Sequence, residues 1–178
     1  MEELNMDELS TAELSTVDAL RDAHRAFLEA AETVAAAAKD QRVAPAPGEW
    51  DAEQILAHVS ILTADTVRAV SAVAAGVNAT YDNRLAQDTW TLDRLVELAG
   101  GGAGLRERIR LQAQALCAIA EGSALSSAEL ATPIPTRLVS QGKLMLDQPM
   151  ALGEILTGLA TMEVPGHTRQ LLALITQA

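Results

Sequence analysis

Residues 50–62 read Trp-Asp-Ala-Glu-Gln-Ile-Leu-Ala-His-Val-Ser-Ile-Leu, and this stretch decides the class of fold. Asp51 reads as a helix N-cap, and Gln54 three residues on completes a capping box. Trp50, just before the cap, is placed to pack on Ile55 as a hydrophobic staple that fixes the direction of the incoming chain. Ile55, Val59, Leu62 and Thr66 then recur at three-and-four spacing, which predicts an amphipathic helix running to about Ala75. Gly76 and Asn78 stop it. His58 lies within the apolar stripe.

The rest of the chain repeats the helical pattern. A helix over Val17–Lys39 is predicted from Leu20, Ala23, Phe27, Ala30, Ala31 and Val34, and Val43-Ala-Pro-Ala-Pro-Gly48 ends it. Residues 1–15 carry repeated start-like signals and many acidic side chains, and read as a solvated arm ahead of one domain spanning 16–178. A polar connection from Val77 to Thr89 precedes a third helix starting near Thr91. The tract Gly100-Gly-Gly-Ala-Gly104 breaks it before a longer helix over Leu105–Ala120, ended by Gly122. Residues 133–146 read as a short hairpin with Gln141 and Gly142 at the turn. The last helix is predicted from about Pro149 to the carboxyl end, with Pro165 kinking it. The expected fold is all-α, an antiparallel four-helix bundle with a short β-hairpin before its last helix.

Composition agrees. Of 178 residues, 49% are apolar, yet the aromatics are only Phe27, Trp50, Tyr81 and Trp90. A core of Ala, Leu, Val and Ile favours close-packed helices. The net charge of −11 argues against nucleic acid and against anionic lipid as partners. One cysteine, Cys117, excludes an internal disulfide, and the Ala-rich runs are broken by charge before membrane-spanning length. A cytoplasmic protein with a small-molecule substrate is expected.

Chemistry concentrates at three residues. In the last helix Leu152, Ile155, Leu156 and Leu159 project onto Glu163, His167, Leu171 and Leu174, so a carboxylate stands where the stripe calls for leucine. A buried carboxylate is costly without a partner. Glu163 and His167, four residues apart, share one helix face and can close on a single ion. His58 from an antiparallel neighbour completes two imidazoles and a carboxylate with an open coordination position, the build of a catalytic divalent-metal site. Zinc is the first expectation, and nickel and ferrous iron tolerate the same ligands. The competing reading makes Glu163 and His167 a plain ion pair and His58 a core histidine.

Other candidates read as structural. His24, beside Arg21, Asp22 and Arg25, is expected to be solvated, and Asp65 to be an exposed helix carboxylate. Arg106, Arg108 and Arg110 diverge around their helix, and Cys117 looks like a packed, inert thiol.

Two segments also carry a family resemblance. Pro47-Gly-Glu-Trp-Asp-Ala-Glu-Gln-Ile-Leu-Ala-His58-Val resembles the Gly-Trp segment and Leu-x-His-Leu helix of the DinB-like superfamily. Met162-Glu163-Val-Pro-Gly-His167-Thr-Arg-Gln-Leu171 is similar to the Arg-Glu-Val-x-x-His-x-x-Asp-Leu element of its mycothiol-dependent maleylpyruvate isomerase branch. Met162 and Gln170 depart from that pattern, as does the Pro165-Gly166 pair between the ligands. The resemblance covers roughly residues 15–178 and implies His58, Glu163 and His167 as metal ligands, a thiol cofactor such as mycothiol, and homodimers. Members of that branch carry a second, carboxyl-terminal domain, which is not expected here. The function implied is a metal-dependent thiol S-transferase or isomerase acting on a small electrophile. The alternatives are a metal-dependent hydrolase on the same scaffold and a non-catalytic helical module for binding or dimerisation.

Overall fold

A computed structural model describes residues 6–121 and 125–176, with side chains from residue 16 onward. The chain is mostly helical, with a small three-stranded sheet. The first helix, α1 (Met6–Ala36), starts well before the expected Val17 and takes up part of the expected arm. No proline or glycine stands in residues 1–15, and Leu, Ala and Glu there favour continued helix. Residues 1–5 of that arm, and the expected stop at Gly122, lie outside the described residues.

Helix α2 (Ala52–Ala74) opens as its sequence predicts. The Gln54 amide N–H donates to Asp51 Oδ1 at 2.9 Å, and the Asp51 N–H donates to Gln54 Oε1 at 3.2 Å. Gln54 also donates to Asp93 Oδ1 at 2.8 Å, which ties this end of α2 to the helix across from it. Helix α2 is long and apolar enough to cross a membrane, although Asp65 and Arg68 interrupt its apolar run. It is instead a largely buried core helix, packed on neighbours along its length.

The connection after α2 is more ordered than its polarity suggests. It holds β1 (Tyr81–Asp82) and the one-turn helix α3 (Arg84–Gln87). Asp88 then caps α4 (Thr89–Ala99), accepting from the Thr91 N–H at 2.9 Å. The glycine tract breaks the chain as expected. Gly100 and Gly101 take positive φ, and α5 runs over Gly102–Glu121. Gly104 serves a second purpose: a Cβ there would sit 1.7 Å from the Ala99 carbonyl oxygen. Gly104→Ala is therefore expected to destabilise the protein by roughly 2–4 kcal/mol, because backbone must move to relieve the overlap. Urea denaturation should show a lower midpoint with an unchanged slope.

After the short helix α6 (Ser127–Leu130), strands β2 (Pro133–Ser140) and β3 (Lys143–Ala151) form the expected hairpin. Its turn residues Gln141 and Gly142 both have positive φ, at 49° and 74°, the geometry of a type I′ turn. The sheet has a third strand that the sequence did not announce, because β1 pairs parallel with β2. β3 continues through Pro149 to Ala151, so the last helix begins at Leu152 and not at Pro149. A proline is tolerated there because β3 is an edge strand.

The final helical stretch is α7 (Leu152–Gly158), a π-turn over Leu159–Glu163, and α8 (Val164–Leu172). The π-turn is closed by the Val164 N–H donating to the Leu159 carbonyl. Helix α2 packs on α4 and α5, while α1 packs on α5 and α8. Phe27, Leu20, Ile55, Ile109, Leu116 and Leu156 are among the fully buried side chains between them.

Candidate metal centre

Three side chains from two distant parts of the sequence meet where α2 faces the π-turn and α8. One ligand atom each from His58, Glu163 and His167 lies within 4.8 Å of the others. In zinc sites with bonds near 2.0–2.1 Å, tetrahedral ligand atoms stand about 3.3 Å apart, so small rotations close this trio on one ion.

His58 is the fixed member. It is 1% exposed, and its Nδ1–H donates to the Ala86 carbonyl of α3 at 2.6 Å. That bond sets the tautomer and leaves the Nε2 lone pair available. Nε2 is buried and has no hydrogen-bond partner. A buried polar atom left unpaired costs on the order of 1–3 kcal/mol, which a cation at that point would offset. Burial, and next the His167 imidazole, push the His58 pKa down to about 4, against the opposing pull of the Ala86 carbonyl and Glu163. The ring is neutral at physiological pH.

His167 is held in the same way. Its Nδ1–H donates to Gln170 Oε1 at 2.8 Å, and its Nε2 stands 3.6 Å from Glu163 Oε2. The His167 contact is the main influence holding the Glu163 carboxyl below the usual range, with burial opposing it. The two imidazoles meet edge to face at 4.4 Å between centroids. Trp50 covers them, 4.6 Å from the His58 ring and 6.2 Å from that of His167.

Glu163 departs from expectation in its exposure. It is not a core carboxylate, for its side chain is 51% exposed. The π-turn explains this. One extra residue in the turn advances the helical faces, so Leu159, Ala160 and Val164 carry the buried line and Glu163 turns outward. The same turn carries the chain past Pro165, which sits in the first turn of α8, where its missing N–H matters little.

Glu163 and His167 line a cleft of about 680 Å³, walled also by Trp50, Arg84 and Gln170 and by the hairpin tip at Gln141 and Gly142, while His58 lies buried behind them. Arg84 is the one guanidinium lining the cleft among the described residues, and it is bound to Asp82 through Nε and an NH2 group.

The remaining candidates sort clearly. His24 is a correction: it is 2% exposed, donates from Nδ1 to the Leu20 carbonyl at 2.8 Å, and places Nε2 3.2 Å from Thr63 Oγ1. Its position on the apolar side of α1 outweighed its charged sequence neighbours. Asp65 is also less open than expected, paired to Arg68 through Oδ1 with Oδ2 buried. It makes no hydrogen bond to His58. Arg110 pairs with Glu107 on an exposed face, as expected, and Cys117 is a buried thiol whose pKa burial raises. Sequence reasoning missed the Ala86 carbonyl, Trp50 as the ring cover, and Gln170. Only Gln170 carried a readable signal, since a carboxamide three residues beyond a histidine can reach its ring.

No protein-family model matches the chain, and neither a curated protein nor a solved structure matches it.

Proposed function

We propose that this chain is a divalent-metal-dependent enzyme of the DinB-like kind, a thiol S-transferase or isomerase acting on a small electrophile. In this reading α1, α2, α5 and the α7–α8 stretch make the antiparallel four-helix bundle, and His58, Glu163 and His167 hold the ion. The observation that carries it is the buried, unpaired Nε2 of His58 facing a carboxylate and a second imidazole. Two imidazoles and a carboxylate suit zinc first, with nickel and ferrous iron as rivals. A cation bound there supplies a Lewis acid and stabilises negative charge on an incoming thiol at neutral pH.

The chain's own groups supply position and environment. The Ala86 carbonyl and Gln170 fix the two imidazoles, and Trp50 shields one side of them from water. The hairpin tip bounds the cleft in which the electrophile sits. The cytoplasmic setting, the homodimer and a mycothiol-type thiol belong to the same reading, as does the absence of nucleic-acid and membrane partners.

Because Arg84 is already bound to Asp82, a dianionic electrophile finds no free guanidinium among the described residues lining the cleft. With one thiol donor, mycothiol or N-acetylcysteine, dimethyl maleate should be favoured over maleate by at least about tenfold in kcat/KM. The electrostatic difference asked for is modest, about 1.4 kcal/mol. Elemental analysis should find one divalent ion per chain, and Glu163→Leu should lose both ion and thiol-dependent rate. Turnover of simple esters without thiol would favour the hydrolase. Full metal retention in Glu163→Leu would leave a helical binding module.

A further inference from the structure

The hairpin and His58 on α2 are joined through hydrogen bonds at either end of the short α3 segment, and one side chain makes the link to the hairpin. Strand β1 is only two residues long, ending at Asp82, while its partner β2 continues to Ser140. Beyond the end of β1 the carboxamide of Asn83 takes over the pairing. Its Nδ2 donates to the Val139 carbonyl at 3.0 Å, and its Oδ1 accepts from the Val139 N–H at 2.8 Å. The side chain thus extends the ladder by one rung where the backbone turns away into α3. That rung falls where the β2–β3 register shifts, between Leu138 and Val139, two residues before the turn residues that line the cleft.

Helix α3 is a single turn, too short to hold itself in place. It follows Asn83 directly, and its third residue, Ala86, provides the carbonyl that accepts from His58 Nδ1–H. We propose that Asn83 is a positioning residue that latches the hairpin to α3, so that the orientation and tautomer of His58 depend on where the hairpin tip sits. An occupant of the cleft that presses on Gln141 or Gly142 would then act on the metal ligand through Val139, Asn83 and Ala86. Nearer its start β2 is already held in the core by the buried Ile134 and Thr136, so the double contact of Asn83 secures the end of the strand next to the turn.

The tautomer part of this proposal stands without a metal. The part concerning affinity rests on the metal reading above. Nitrogen-15 NMR of the histidine side chains at pH 7.5, on metal-free protein, reports the tautomer directly. The wild type should show His58 as a single tautomer protonated at Nδ1. Asn83→Ala should turn it into a mixture, and cobalt(II) affinity, followed by its visible absorption, should fall about tenfold, as for lost support around a ligating histidine. Asn83→Asp keeps the acceptor for the Val139 N–H but places an oxygen against the Val139 carbonyl, and should lie on the same side of wild type. It decides the matter should Asn83→Ala fail to fold. A folded Asn83→Ala or Asn83→Asp that is less stable yet retains a single His58 Nδ1–H tautomer would overturn the proposal and leave Asn83 as a plain sheet contact. A wild-type protein with the expected tautomer but no cobalt binding would instead remove the metal reading and leave the latch standing.

Discussion

His58→Ala is expected to lower divalent-metal affinity at least a hundredfold while the protein stays folded. Loss of a residue that merely supports a ligand costs about ten- to a hundredfold, and His58 would be a ligand itself. The substitution also removes the buried, unpaired nitrogen, which relieves one penalty, and strands the Ala86 carbonyl, which adds another of similar size, about 1–3 kcal/mol. Metal-free stability should therefore change less than metal binding does. Added zinc at about a hundred times its Kd should stabilise the wild type by about 2.7 kcal/mol, read as a higher Tm, and should leave His58→Ala unmoved. His24→Ala provides the comparison. It also removes a buried histidine from the helical core, but one bonded to Leu20 and Thr63 and outside the trio. It should lose stability and keep its metal. Equal metal content in wild type and His58→Ala would end the metal reading.

The parts of this protein that can be read from its sequence are those written in local rules. Asp51 and Gln54 form their capping box because the partners are three residues apart, and Gln141-Gly142 form the hairpin turn because few other pairs accept two positive φ angles. The trio was legible for a related reason. His58 on an apolar stripe and Glu163 with His167 at one-turn spacing each violate a pattern, and the fold brings the violations together. What escaped was information carried between segments. Nothing near Tyr81 shows that it will lie beside Thr136, since strand pairing is decided by distant residues. The backbone carbonyl of Ala86 has no signature in its side chain, yet it fixes the tautomer on which the site depends.

The π-turn shows how a correct choice of residues can carry a wrong environment. Straight helical spacing from Leu159 puts Glu163 on the core line, and the extra residue in the turn gives that line to Val164. Pro165 was a visible warning of irregular geometry. The direction of the resulting shift was not written in it. The outcome serves the site better than the expected one, because a half-exposed carboxylate is ionised at a smaller desolvation cost than a fully buried one and faces the cleft.

With chelator present, the metal-free protein should lose stability steadily between pH 6.5 and pH 5, through two histidines that folding keeps neutral. In the unfolded chain both titrate near 6.5. In the folded chain His58 is lowered to about 4 and His24 is lowered too, each chiefly by burial. Within that window the unfolded state binds more protons than the native state, so stability rises with pH. It is fully present above about pH 6.5 and is lost as the pH falls toward the folded-state values. For His58 the whole span is worth about 3 kcal/mol, with a slope of up to about 1.4 kcal/mol per pH unit, and His24 acts in the same direction. Carboxylates held low by their partners, among them Asp82 and Glu163, also take up protons more readily in the unfolded chain, but their contribution is lost only as the pH falls below about 4.5. The two windows are therefore separable. Urea denaturation at half-unit steps from pH 5 to 7.5 should show the slope reduced by about one histidine's share in His58→Ala, and shifted in the same direction in His24→Ala. An unchanged slope in His58→Ala would mean that the ring takes up its proton as readily in the folded protein as in the unfolded chain. A ring that does so cannot be the closed, water-free donor on which the site is built.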